Sequence, residues 1–117
     1  MDNQKFNLVL DRILEKTGLG KLEWETTANR NTFLAVLQDS AISITQDYDT
    51  YDEQFSAGEF FTLDFRNENG DIVESIDIYN SEVGENFEKA KQVFELARQR
   101  SLKIDKTLDH ILEQLAA

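Results

Sequence analysis

Phe61-Thr62-Leu63-Asp64-Phe65-Arg66-Asn67-Glu68-Asn69-Gly70-Asp71-Ile72-Val73-Glu74-Ser75-Ile76-Asp77-Ile78 is the stretch that decides the fold. Apolar and polar residues alternate on both sides of Asn69-Gly70, and alternation places every second side chain on one face of a strand. Asn-Gly between two such runs predicts a β-hairpin, because both residues tolerate the positive φ angles of tight turns. Upstream, Phe33-Leu34-Ala35-Val36-Leu37, the turn Gln38-Asp39-Ser40, and Ile42 and Ile44 alternating with Ser43 and Thr45 predict two more antiparallel strands. Between the pairs, Gln46 to Glu59 reads as a loop closed by Ala57-Gly58.

Helices flank this core of strands. Phe6, Val9, Leu10, Ile13 and Leu14 follow the three-four spacing of an amphipathic helix, capped by Asp2 or Asn3 and ended by Gly18 and Gly20. Trp24 follows in a polar stretch, Glu23 to Asn31, and reads as a lid over the edge of the core. After the hairpin, Asn80 or Ser81 can cap a helix of roughly Glu82 to Leu102 carrying Phe87, Ala90, Val93, Phe94 and Ala97. Leu108, Ile111, Leu112 and Leu115 mark a last helix beyond a cap at Asp105; one long bent helix is the alternative. The expectation is one α+β domain over 1–117: an N-terminal helix, a four-stranded antiparallel meander, and two C-terminal helices packed on one sheet face.

Charge is the least generic feature. The 117 residues hold 12 basic and 23 acidic side chains, a net charge of −11. Residues 1–30 balance five acids against five bases, and residues 86–117 hold five against six. Residues 31–85 hold thirteen acids and one base, Arg66. Alternation turns Asp64, Arg66 and Asp77 away from the core, so one sheet face should be solvated and acidic. A solvated face needs no partner. Yet Tyr48, Tyr51, Phe55, Phe60 and Tyr79 stand among these acids, and Phe60 and Phe61 must point to opposite faces. Aromatics ringed by one sign of charge suit a protein-binding patch whose partner is basic.

Other chemistry finds little support. The absence of cysteine removes disulfides, zinc ribbons and thiol nucleophiles. Asp47, Asp49, Asp52 and Glu53 suggest a cation loop, but Asp52 stands where an EF-hand needs glycine and Gly58 where it needs glutamate. His110, beside an apolar stripe and between acids, reads as a helix-surface residue, and no serine sits in a nucleophile elbow. Gly18-Leu19-Gly20-Lys21 is too short for a phosphate loop. Acid on the sheet opposes nucleic acid, and the bases Arg98, Arg100, Lys103 and Lys106 are mixed with acids and suit helix C-termini. The longest apolar runs are a few residues, so neither export nor membrane insertion is expected and the chain is read as cytoplasmic.

The pattern Phe61 to Ile72, followed by Val93-Phe94-Glu95-Leu96-Ala97-Arg98, resembles small bacterial proteins of unknown function that pair an N-x-x-G-x-I strand-turn-strand unit with an L-x-x-L-A-R helix. The resemblance covers about half the chain and implies a bacterial α+β domain, with no catalytic residues. The reading is therefore a non-enzymatic interaction protein without cofactor or metal, similar in physical profile to immunity proteins and antitoxins. Its binding residues are Tyr48, Asp49, Tyr51, Asp52 and Glu53, with Phe55 and Asp64 behind them. A homo-oligomer, joined through the aromatic patch or a strand edge, and a small-ligand carrier with a pocket near Trp24 are the alternatives.

Overall fold

The computed structural model describes residues 3–48, 58–80 and 85–116. Its elements run α1 (Asn3–Gly18), β1 (Trp24–Thr26), β2 (Thr32–Val36), β3 (Ala41–Tyr48), β4 (Glu59–Arg66), β5 (Ile72–Tyr79), α2 (Asn86–Ser101) and α3 (Ile104–Ala116). The strands form one antiparallel sheet in the order β1-β2-β3-β4-β5. The α+β class and helix-sheet-helix order match expectation, with five strands in place of four.

The fifth strand begins at Trp24, in the stretch read as polar. Trp24 pairs with Ala35 and is buried, and its indole Nε1 donates a 3.0 Å hydrogen bond to Oγ1 of the buried Thr17. Three residues are too few to establish a period, so this edge strand owes its place to one anchored side chain and its pairing with β2. Just before it, Gly20 adopts φ +73° and ends α1: its N–H reaches the Thr17 carbonyl and the Lys21 N–H reaches Lys16. These two bonds satisfy carbonyls that the helix leaves open.

The predicted loop from Gln46 to Glu59 is shorter than expected, since β3 continues through Tyr48 and β4 begins at Glu59. Gln46 pairs with Phe61 and Asp47 with Phe60, and the ladder bonds outweigh the low strand propensity of Gln and Asp. The hairpin lies where Asn69-Gly70 put it, but only Gly70, at φ +83°, has a positive φ in the turn. Its N–H donates to the Asn67 carbonyl, while the Asn67 N–H donates to Asp71. Asn67 Oδ1 accepts from the N–H groups of Asn69 and Asp71. The wider turn is accompanied by a register shift at Phe65/Arg66, which leaves Ile72 and Val73 exposed.

One face of the sheet is covered. α2 crosses all five strands and buries Phe87, Ala90, Val93, Phe94 and Ala97. The alanines let its backbone approach, while Phe94 packs 5.4 Å from both Phe33 and Phe61. α1 lies parallel to α2, with Asn7 bonded to Asn86, Asp11 to Lys89 at 2.7 Å, and the Gly18 carbonyl to Arg100. The Asp11 hydrogen bond holds the Lys89 ammonium above the ordinary lysine value of 10.5. Arg100 thus serves the C-terminus of α1, where sequence reading gave the late bases to their own helix.

The two C-terminal helices are separate, divided at Lys103, which takes φ +53°. α2 starts at Asn86, with Glu85 before it making no side-chain cap, so the cap expected at Asn80 does not open it; Ser81, the other candidate, lies outside the described residues. The expectation that both helices pack on the sheet is corrected. Only α2 does; α3 buries no residue, and its apolar stripe remains exposed. Its pattern is amphipathic, but amphipathy alone does not bring it onto the sheet, and no strand lies against it among the described residues. No described helix is long and apolar enough to cross a membrane.

Candidate functional site

The second face of the sheet carries no helix among the described residues, and strand register states what lies on it. One row runs Glu25, Leu34, Ser43, Asp64, Ser75; the next runs Thr32, Thr45, Thr62, Asp77; a third holds Asp47, Phe60 and Tyr79. Directly paired residues share a face, so these rows form one surface. Its four acids, Glu25, Asp47, Asp64 and Asp77, face a single base in the sheet, Arg66, which donates to the Gly70 carbonyl.

Hydroxyls hold the carboxylates in place. Ser75 Oγ donates to Asp64 Oδ1 at 2.6 Å, and Thr62 Oγ1 donates to Asp77 Oδ1 at 2.7 Å. Thr32 and Thr45 bond each other across β2 and β3 at 2.8 Å. Each hydroxyl fixes one carboxylate oxygen, leaving acceptor capacity on the other for a cationic donor. Asp64 and Asp77 stand on the diagonal between neighbouring strands, about 7 Å apart, a separation that suits two cationic side chains of one partner. Beside them Phe60 and Tyr79 stack at 4.9 Å between ring centres and supply a half-buried aromatic platform.

The residues singled out from sequence divide. Asp64 lies on the open face. Tyr48 is 57% exposed at the end of β3, and its pairing with Glu59 assigns it to the helix-bearing side, so the two do not share a surface. Asp49, Tyr51, Asp52, Glu53 and Phe55 lie outside the described residues. In their place the register brings Asp47, Phe60, Asp77 and Tyr79 together with Asp64. Continuing the alternation of β3 past Thr45 would have found Asp47 and excluded Tyr48; the hydroxyl partners needed the cross-strand register, which one sequence does not provide.

The remaining candidates reduce further. Trp24 is committed to the core through Thr17. His110 is exposed on α3, on the side away from the apolar stripe. Among the described residues no group of three or more His, Asp or Glu is placed to hold a metal ion. Compared with protein-family models, curated proteins and solved structures, the chain matches none.

Proposed function

We propose that this is a non-enzymatic interaction protein whose open sheet face binds a basic protein surface. The observation that carries the reading is one continuous sheet face, carrying no helix among the described residues, that presents Asp47, Asp64 and Asp77 beside the Phe60–Tyr79 stack. Rigid strands hold the charges, hydroxyls orient two of them, and the rings supply apolar area that a purely solvated face does not need. The segment carrying Asp49, Tyr51, Asp52, Glu53 and Phe55 joins β3 to β4 in sequence and is of the same acidic, aromatic composition. Small acidic inhibitors of basic enzymes, such as immunity proteins and antitoxins, work through surfaces of this kind, and a bacterial setting fits the reading.

Complementary charge speeds encounter and makes it salt-sensitive, since the screening length falls from about 8 Å at 0.15 M salt to about 3 Å at 1 M. The test is capture from a native lysate at low salt, with mass-spectrometric identification. A single basic protein retained in stoichiometric amount and released by salt is the expected result. Retention of nothing specific, or of an acidic protein that salt does not release, would overturn the reading.

A further inference from the structure

A second unpartnered surface lies on the helix side. Between α1 and the sheet runs a groove of about 420 Å³ whose apolar walls are Leu8, Val9, Ile13, Leu22, Leu37 and Ile42. It continues past Val9 and Ile42 into a second depression, of about 580 Å³, that reaches Phe65 and Val73. Every charged residue of the first part is basic: Arg12, which also meets Glu15 at 3.1 Å, Lys16 and Lys21. The far end bears Asp39 and Glu68 with Arg66. Leu8 is 56% exposed, so this apolar wall is open.

The same chain carries an amphipathic helix that buries none of its residues among the described ones. Ile104, Leu108, Ile111, Leu112 and Leu115 form one stripe along α3. Asp105, Asp109 and Glu113, four residues apart, form an acidic row along one side of that stripe. We infer that the α3 helix of a second copy occupies the groove, with its stripe on the apolar walls and its acidic row along Arg12, Lys16 and Lys21, and that the exchange is reciprocal.

Direction separates the second copy from the chain's own helix. Lys103 immediately precedes α3 and Lys106 lies in its first turn, at the positive end of its dipole, and the negative end is at the C-terminus. The favourable sense therefore sets its N-terminus at Asp39 and Glu68 and its C-terminus at Lys16 and Lys21, parallel to α1. The chain's own α3 starts beside the C-terminus of α1, where Arg100 binds the Gly18 carbonyl. Folding back, it would enter in the opposite sense and set Lys103 and Lys106 against Lys16 and Lys21. A second copy has no such restriction. The short connection at Lys103, a non-glycine residue in the left-handed region, is of the strained kind that favours exchange over closure.

Because the chain has no cysteine, introduced cysteines report contacts directly. Leu8→Cys and Leu108→Cys variants, purified separately, mixed and oxidised, should cross-link at twice the 13.5 kDa chain mass, and Leu8→Cys with Leu115→Cys several-fold less. Sedimentation equilibrium of the unaltered chain should give a dimer. The pair Leu112→Gln and Leu115→Gln should weaken association by about tenfold or more, while at concentrations dilute enough for both chains to be monomers the unfolding midpoint stays unchanged, because α3 is exposed within one copy. A chain that stays monomeric at about 100 μM overturns the proposal. So does a Leu108→Cys variant that links to itself faster than to Leu8→Cys, which would pair α3 with α3. Closure within one chain of a Leu8→Cys/Leu108→Cys double variant would assign the groove to the chain's own helix and overturn it equally.

Discussion

Along β4, neighbouring residues meet two different environments. Phe61 and Leu63 are fully buried under α2, whereas Phe60, Thr62 and Asp64, interleaved with them, are half-buried on the face that no described helix covers. The covered face is aromatic and aliphatic, with ring contacts running from Phe33 to Phe94, Phe61 and Phe87 in turn. The open face carries acids, hydroxyls and one aromatic stack, with Leu34 and Arg66 among them. One strand therefore carries stability on one parity and charge on the other. Substitution on the open face should change recognition while leaving folding almost untouched, and substitution on the covered face should do the reverse.

The covered face gives the largest expected effect. Phe61→Ala removes a side chain packed on both Phe87 and Phe94 and should lower unfolding free energy by about 3–5 kcal/mol, read by chemical denaturation. A loss below about 1 kcal/mol would mean that α2 is not held on the sheet as described. At the hairpin, Gly70→Val forces a β-branched residue to φ +83° and should cost about 1–3 kcal/mol, a strain that involves neither face. Trp24→Phe keeps the ring buried but leaves Thr17 Oγ1 without its indole donor, with a loss of about 1–2 kcal/mol. Smallest is Asp77→Asn on the open face: the Thr62 bond survives with an amide oxygen, and the unfolding free energy should change by no more than about 0.5 kcal/mol. A large destabilisation there would break the division between the faces.

How much of this was legible in the sequence follows from the length of each pattern. The hairpin from Phe61 to Ile78 offers alternation on both sides of an Asn-Gly pair, and it was read correctly as two strands. α1 was equally legible, because Phe6, Leu10 and Ile13 repeat the helical period and Gly20 ends it. β1 was not, since Trp24–Thr26 is too short to carry a period and depends on Thr17, seven residues away. The fate of α3 was misread for another reason. Amphipathy states that a helix has an apolar side but not what covers it, and α3 has a cleaner stripe than α2 while burying nothing. Of the candidate site, the acidic, aromatic character of the sheet was legible from alternation in β4 and β5. Its membership was not, because Asp47, Phe60 and Tyr79 meet only through pairing of three strands.

The most direct test of the central claim separates where the acid lies from how much of it there is. Asp47→Asn, Asp64→Asn and Asp77→Asn together remove three negative charges from the open face. Asp105→Asn, Asp109→Asn and Glu113→Gln remove three from α3. Both variants have the same net charge, and binding of each to the basic protein captured at low salt would be measured by calorimetry beside the unaltered chain. Loss of affinity by about tenfold or more in the open-face variant, with the α3 variant close to the unaltered chain, is the predicted result. Equal weakening of both, or weakening of the α3 variant alone, would contradict the claim that the open sheet face is the binding surface.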